Sequence, residues 1–255
     1  MPVSKTKTKL NRACLVVFSG GQDSTTCLHW ALNTFTSVES VFFDYGQRHK
    51  SEVLAAQAIA WRVKIPMRIF RLDFFRELKG NALTDHSIPI SPMPPPNPLK
   101  GGFDTSTPPG DGGNKETSLP NTFVPGRNLV FLTHAATYAY TKRIRDVVTG
   151  LCQTDYSGYP DCRMDTLKAL QKSLHLGLGW PERHGVLRLH APLMFKTKAE
   201  SVRLAQKWGA MDSLAYSHTC YEGSVPPCGK CPACILRDKG FAEAGIKDPL
   251  LIRVG

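Results

Sequence analysis

An apolar run that stops at a glycine pair and restarts as a helix constrains this chain more than any other feature. In Val16-Val17-Phe18-Ser19-Gly20-Gly21-Gln22-Asp23-Ser24-Thr25-Thr26, the apolar residues over 14–18 read as a buried strand. Residues 25–35 read as a helix, capped by Ser24 or Asp23. Strand, glycine turn and helix N-terminus together build a phosphate site. The glycines let backbone N–H groups approach an anion with no Cβ in the way, and the helix dipole favours negative charge there. Neither G-x-x-x-x-G-K-[ST] nor G-x-G-x-x-G follows the strand, which argues against a Walker P-loop and a dinucleotide fold.

The stretches that follow repeat the alternation of strand and helix. A strand is predicted over 40–43, a helix over 50–62 with Val53, Leu54, Ala56, Ile59 and Ala60 at helical spacing, and a strand over 67–72. That order implies a Rossmann-like parallel sheet with right-handed crossovers and helices on both faces. Ligands of such sheets sit at the carboxyl ends of the strands. The glycine loop and Asp44-Tyr45-Gly46-Gln47-Arg48 both lie at such ends, so they should face one cleft, with Arg48 available to an anionic group.

Further along, an apolar helix is expected over 129–142, with Arg127 and Asn128 at its start. Asn128 can cap that helix, hold a polar ligand, or do both. After a strand over 146–150, residues 153–163 are dense in hydrogen-bonding groups and aromatic rings, a composition suited to a flat, polar heterocycle. Asp161 can also cap the next helix, which runs to about residue 176. After a short strand over 187–193, Thr197 and Glu200 have the form of a capping box. Lys196 and Lys198 beside it belong either to a solvated face or to a substrate or phosphate contact. Cys27, inside the first helix, reads as a packed core thiol. Residues 87–120 are too rich in proline and glycine for a buried strand or a long helix, and read as a surface excursion, either a lid or an inert insertion.

Charge and cysteines bound the function classes. The formal charge of +11 invites a nucleic-acid partner, but no block of consecutive Lys and Arg and no basic stripe interleaved with aromatics occurs. Binding of ATP and an anionic small molecule accounts for a basic chain equally well. No apolar run is long enough to span a membrane, and the polar, basic residues 1–11 have no signal-like apolar core. Of eight cysteines, four cluster as Cys220-x7-Cys228-x2-Cys231-x2-Cys234. Clustered thiols without an export signal read as a metal site in a cytoplasmic protein. Four thiolates close a tetrahedral site around structural Zn²⁺, with an iron–sulfur cluster as the competitor.

The form S-G-G-x-D-S resembles the PP-loop of the ATP-pyrophosphatase proteins. That resemblance implies cleavage of ATP between its α- and β-phosphates, with Phe18, Ser19, Gly20, Gly21, Gln22, Asp23, Ser24, Thr25 and Thr26 binding the nucleotide and its Mg²⁺. Five stretches together resemble the QueC family of 7-cyano-7-deazaguanine synthases over residues 12–249: Phe18 to Cys27, Phe43-Asp44-Tyr45-Gly46-Gln47-Arg48-His49, Asn121-Thr122-Phe123-Val124-Pro125-Gly126-Arg127-Asn128, Asp155-Tyr156-Ser157-Gly158-Tyr159-Pro160-Asp161-Cys162-Arg163, and Cys228-Gly229-Lys230-Cys231-Pro232-Ala233-Cys234. The insertion and the basic tail are the departures. The implied organisation is a tail over 1–11, a PP-loop α/β domain over 12–210 and a zinc-binding region over 211–255.

The family implies a ligase that turns 7-carboxy-7-deazaguanine and ammonia into 7-cyano-7-deazaguanine with two ATP, through an adenylated acid and an adenylated amide. No protein nucleophile is needed; the enzyme positions reactants and stabilises charge. The cleft residues are then Asp23, Asp44, Tyr45, Gln47, Arg48 and Lys196. Arg127, Asn128, Asp155, Tyr156, Ser157, Gly158, Tyr159, Asp161 and Arg163 would hold the deazaguanine, with Asp155 or Asp161 accepting from N1–H and the 2-amino group. A homodimer is implied, with no stable nucleic-acid partner. The rival readings are a tRNA-modifying adenylase, a relative that attaches a deazaguanine to a protein, and a zinc-knuckle nucleic-acid binder.

Overall fold

In the computed structural model, residues 9–78, 80–85, 87–91, 119–154 and 159–255 are described. The basic tail before residue 9, most of the proline- and glycine-rich insertion, and Asp155 to Gly158 lie outside them.

Five parallel strands form one sheet in the order β3-β2-β1-β4-β5. Strand β1 (Leu10–Val17) is central, flanked by β2 (Phe35–Asp44) and β4 (Asp146–Val148), with β3 (Met67–Arg71) and β5 (Arg188–His190) at the edges. Its middle residues, Cys14, Leu15 and Val16, are fully buried, so both faces of the sheet are covered, as a parallel sheet requires. Successive side chains point to opposite faces. Leu15, Val41 and Val147 pack under helices α3 (Arg127–Thr141) and α4 (Met164–Gly177). Cys14, Val16, Phe42 and Val148 pack under α1 (Gln22–Thr34) and α2 (Ser51–Arg62). Cys27 is buried in that second core, as expected of a packing thiol.

The chain ends in α5 (Lys198–Lys207), the short α6 (Met211–Leu214), α7 (Pro232–Ala244) and α8 (Pro249–Val254). The capping box at Thr197 and Glu200 is formed in both directions. Among the described residues no helix is long and apolar enough to cross a membrane.

Several local expectations are corrected. Helix α1 starts at Gln22 with Gly21 as N-cap and no side-chain cap, so neither Ser24 nor Asp23 caps it. It passes into β2 with no intervening residue, Phe35 donating back to the Ala31 carbonyl. Helix α2 buries Ala55, Ala56, Ile59 and Ala60, whereas Leu54 points out and is 63% exposed. Helix α3 begins after Gly126, so Asn128 is not its cap. Asp161 caps α3 and not α4, because the residues before α4 fold back across the start of α3 and the Asn128 N–H donates to Asp161 Oδ2 at 3.0 Å.

One charged residue is buried within the apolar sheet. Asp146, at the start of β4, is fully buried. Its carboxylate meets His190 Nε2 at 2.7 Å and Arg12 at 2.6 Å, with Arg145 at 3.6 Å. The 2.6 Å Arg12 contact is an ion pair without hydrogen-bond alignment; the aligned bond runs from Nη2 at 3.3 Å. Burial works to raise the Asp146 pKa, but His190 and Arg12 outweigh it and hold it below the usual carboxylate value. The cluster ties β1, β4 and β5 together at the end of the sheet opposite the glycine loop.

Removing one member of a buried ion pair costs about 3 kcal/mol. Asp146→Asn should therefore lower the urea unfolding free energy by about 3 kcal/mol near neutral pH. Because the folded pKa is depressed, this stabilisation is present above the ordinary carboxylate pKa and is lost as pH falls through the folded one. The difference between wild type and variant should shrink in acid, and a gap independent of pH would contradict the ionic account.

Candidate active site

The phosphate loop is held by backbone packed against backbone. Gly20 has φ +76°, and a Cβ there would lie 2.7 Å from the Ala56 nitrogen and 2.9 Å from the Glu52 carbonyl oxygen. On the other side, a Cβ on Gly150, just past β4, would meet the Ser24 nitrogen at 2.9 Å. The loop is thus gripped between α2 and the end of β4, at the point where the strand order reverses direction from β1. With no side-chain cap, the first amides of α1 are left for an anion. Ser19 and Ser24 hydroxyls meet at 3.0 Å, and Ser24 Oγ donates to the Gly21 carbonyl at 3.2 Å.

Asp23 faces the same space. Its Oδ2 accepts from Nζ of Lys198, the first residue of α5, at 2.5 Å. Its Oδ1 is buried and has no hydrogen-bond partner among the described residues. A carboxylate oxygen left open beside a phosphate site fits a hard divalent cation such as Mg²⁺. Of the two lysines near α5, Lys198 is therefore the one at the loop. Lys196 pairs with Glu200 at 3.4 Å, and its carbonyl accepts from Cys152 at 3.2 Å and from Thr154.

The turn after β2 builds the adjacent wall. Asp44 Oδ1 accepts from the Gly46 N–H at 3.2 Å and Gln47 Oε1 from the Tyr45 N–H at 3.0 Å, so both side chains fold their own turn. Arg48 Nη1 donates to the carbonyls of Ala82 and Ile88, which anchors the following segment. Tyr45 is buried and reaches into a polar, aromatic group beyond the loop. Arg127 donates to its hydroxyl at 3.4 Å and lies 5.6 Å from its ring centroid. Tyr159 bonds Thr122 at 2.7 Å and packs on Phe123. Asn128 Nδ2 donates to Cys162 Sγ at 3.3 Å. Arg163 precedes α4, its backbone carbonyl accepting from Leu167.

Electrostatics bind this group together. Burial opposes the charge on Arg127, but Tyr45, Tyr159, Tyr221 and Asp161 outweigh it and raise its pKa further. Burial pushes Tyr45 up to about 12 and raises Tyr221 as well. Glu52, in the first turn of α2, is pushed up to about 7 by burial, against the pull of Arg127.

The four clustered thiols come together as expected. Cys220, Cys228, Cys231 and Cys234 have all their sulfurs within 4.8 Å of one another, with 228–234 at 3.9 Å and 231–234 at 3.4 Å. A tetrahedron with metal–sulfur bonds of about 2.3 Å has sulfur–sulfur edges of about 3.8 Å, so the set fits a tetrahedral metal. Backbone amides of Tyr221, Cys228 and Cys231 point at sulfurs at 3.4, 3.5 and 3.3 Å, the donors a thiolate needs. The knot is fastened to the site: His218 donates its N–H to the Gly20 carbonyl at 2.9 Å, and Ser51 Oγ to the Gly223 carbonyl at 2.9 Å.

The structure thus assembles Ser19 to Ser24, Tyr45, Arg127, Tyr159 and Asp161 around one region, while Asp44, Gln47 and Arg48 serve the wall itself. Asp155, Tyr156, Ser157 and Gly158 lie outside the described residues. Glu52, Tyr221 and His218 escaped the sequence reading, and Thr122 entered it only as part of a family stretch, with no role. The one local signal for Glu52 is its place one turn before Ala56, on the face where small residues admit the loop backbone.

A parallel sheet with an uncapped S-G-G-x-D-S loop at its switch point and an open carboxylate beside it defines a PP-loop type of ATP-binding α/β protein. Residues 13–245 match the family model described as queuosine biosynthesis protein QueC, and the chain belongs to the QueC family. A 7-cyano-7-deazaguanine synthase of Laribacter hongkongensis is 54% identical over 240 residues, covering 94% of both chains. One of Chromobacterium violaceum is 53% identical over 241 residues, 94% of this chain and 93% of the relative. That of Bacillus subtilis is 42% identical over 231 residues, 90% of this chain and 93% of the relative.

Gly20→Ala should be costly at this site. The left-handed backbone alone is worth about 1–2 kcal/mol against a side chain, and the contact with α2 adds to that. Urea unfolding should show a loss of about 2 kcal/mol or more, and calorimetry at least about ten-fold weaker ATP binding. A change below about 0.5 kcal/mol would mean that α2 yields freely.

Proposed function

We propose that this chain converts 7-carboxy-7-deazaguanine and ammonia to 7-cyano-7-deazaguanine, consuming ATP to AMP and pyrophosphate twice. The observation that carries the reading is the near full-length identity to synthases of that name, joined to a phosphate loop that holds an open carboxylate. A carboxylate is a poor electrophile because its oxygen leaves poorly. Adenylation makes AMP the leaving group, ammonia then gives the amide, and a second adenylation on the amide oxygen lets AMP leave again to give the nitrile.

The residues divide the work. The loop from Phe18 to Thr26 receives the pyrophosphate through its glycine amides and the start of α1. Asp23 Oδ1 would hold Mg²⁺, which neutralises charge on the phosphates. Lys198, paired with Asp23, is the cation beside those phosphates. Tyr45, Arg127 and Tyr159 offer flat faces and one guanidinium to the deazaguanine and its carboxylate. Asp161 commits Oδ2 to α3, which leaves Asp155 as the stronger candidate to accept from N1–H and the 2-amino group.

The thiol cluster is read as structural zinc. Four sulfurs leave no open coordination position, so the ion holds the knot and performs no chemistry. Through His218 and Ser51 it also steadies the loop and α2. A cytoplasmic homodimer is the assembly and compartment proposed.

Purified protein incubated with 7-carboxy-7-deazaguanine, ATP, Mg²⁺ and ammonium should yield the nitrile and AMP by mass spectrometry, with both abolished by Asp23→Ala. AMP without nitrile would redirect the search to another acceptor, such as a protein. Neither product from folded, metal-loaded protein would overturn the reading. Elemental analysis should find about one zinc per chain. Stripping it with a chelator should lower both the melting temperature and ATP affinity, because the knot bonds the loop carbonyl of Gly20. Iron in place of zinc would assign the cluster alternative.

A further inference from the structure

The nitrile nitrogen carries no hydrogen, so the ammonia that supplies it must lose three protons within one site. Protons are lost when ammonia displaces AMP to form the amide, when the amide oxygen attacks the second ATP, and when AMP leaves the resulting imidate. The carboxylate of the phosphate loop, Asp23, is committed to Lys198 and the cation, and the thiols of the knot to their metal. A base must stand near the activated carbon, which itself lies next to the α-phosphate.

Glu52 is the carboxyl-bearing residue whose backbone packs on the phosphate loop: its own carbonyl is an atom a Gly20 side chain would strike, at 2.9 Å. Its side chain is half-buried and takes part in no hydrogen bond or ion pair among the described residues. A carboxyl group with no hydrogen-bond partner among the described residues, in a site otherwise dense in internal bonds, is placed for a ligand. The charged and titratable groups that face it are Arg127 from the start of α3, Tyr45 from the turn after β2 and Tyr221 from the metal knot. The start of α2 favours the ionised form, whereas burial disfavours it. A base balanced in this way exchanges protons near neutral pH.

Resting on the function proposed above, we propose that Glu52 is the catalytic base that takes the protons from the ammonia nitrogen. In the first transfer the nitrogen lone pair forms the C–N bond, the C–O bond to AMP breaks, and one N–H proton passes to the carboxylate. In the second, the amide oxygen bonds to the α-phosphorus of ATP, pyrophosphate leaves, and a second N–H proton passes to Glu52. In the third, the last N–H pair becomes the third C–N bond, AMP leaves, and its proton follows. Glu52 returns each proton to water between steps.

Full-length, metal-loaded Glu52→Gln protein tests this. Adenylation, read as ATP–pyrophosphate exchange with 7-carboxy-7-deazaguanine and no ammonium, should change by no more than about three-fold. Amide and nitrile formation with ammonium should fall at least about 100-fold. With kcat/KM referred to the free NH3 present at each pH, the wild-type acidic limb between about pH 6 and about pH 9 should vanish in the variant and return, shifted, in Glu52→Asp. Folding is separable. The raised carboxyl pKa means that Glu52 costs stability as pH rises through it, so the neutral Gln should hold or raise the melting temperature at about pH 8. A rise in KM alone would make Glu52 a contact for the heterocycle and overturn the proposal. So would an equal loss of adenylation and amide formation, or an unchanged pH profile. Absence of nitrile from the wild-type enzyme would instead overturn the function on which this rests.

Discussion

The close approach of Gly20 to α2 is the constraint on which the site depends. Backbone meets backbone there with no side chain between them, so the loop cannot move without moving the helix. The end of β4 presses from the other side through Gly150, and His218 draws the Gly20 carbonyl towards the thiol knot. Three distant parts of the chain thereby fix a short run of amides in place. A site for phosphate works through such preorganisation: donors already aimed at the charge need no rearrangement when it arrives.

Around that loop, charge is placed with economy. Asp146 is buried only because Arg12 of β1 and His190 of β5 reach it, together with its neighbour Arg145. Arg127 is held among tyrosines, which supply ring faces and hydroxyls, and among the described residues it makes no hydrogen bond to a carboxylate. Its positive charge is therefore available to an anionic ligand in a way that the paired Arg237, locked to Asp248 at 2.6 Å, is not. The contrast separates a guanidinium that builds the fold from one that can serve the site.

The strands, the helices and the loops at their carboxyl ends were legible in the sequence, because apolar periodicity and glycine placement are local signals. The thiol knot was legible for the same reason, its ligands lying within a short stretch. What escaped notice depends on residues far apart in the chain. Asp146 looks like a strand-opening acid beside Arg145, and only the sheet brings Arg12 to it across 134 positions. Glu52 looks like the solvent face of an amphipathic helix, and its environment exists only once Arg127 and Tyr221 are folded against it. Asp161 reads as the cap of the helix that follows it, yet its carboxylate turns back to α3, 33 positions earlier. A cap is easily assigned to the wrong helix when two helix starts converge.

The direct passage from Thr34 of α1 to Phe35 of β2 gives the crossover no slack. One end of this rigid span is set by Gly21 at the phosphate loop, the other by the pairing of Val17 with Val41 and the turn at Asp44 and Tyr45. The helix therefore works as a gauge block between the phosphate loop and the wall beside it. One extra residue at the joint would exchange the two faces of β2, turning Phe43 and Tyr45 out of one core and Phe42 out of the other. Change at this wall is thus confined to exchanging side chains on a fixed frame, and a change in chain length has to fall elsewhere.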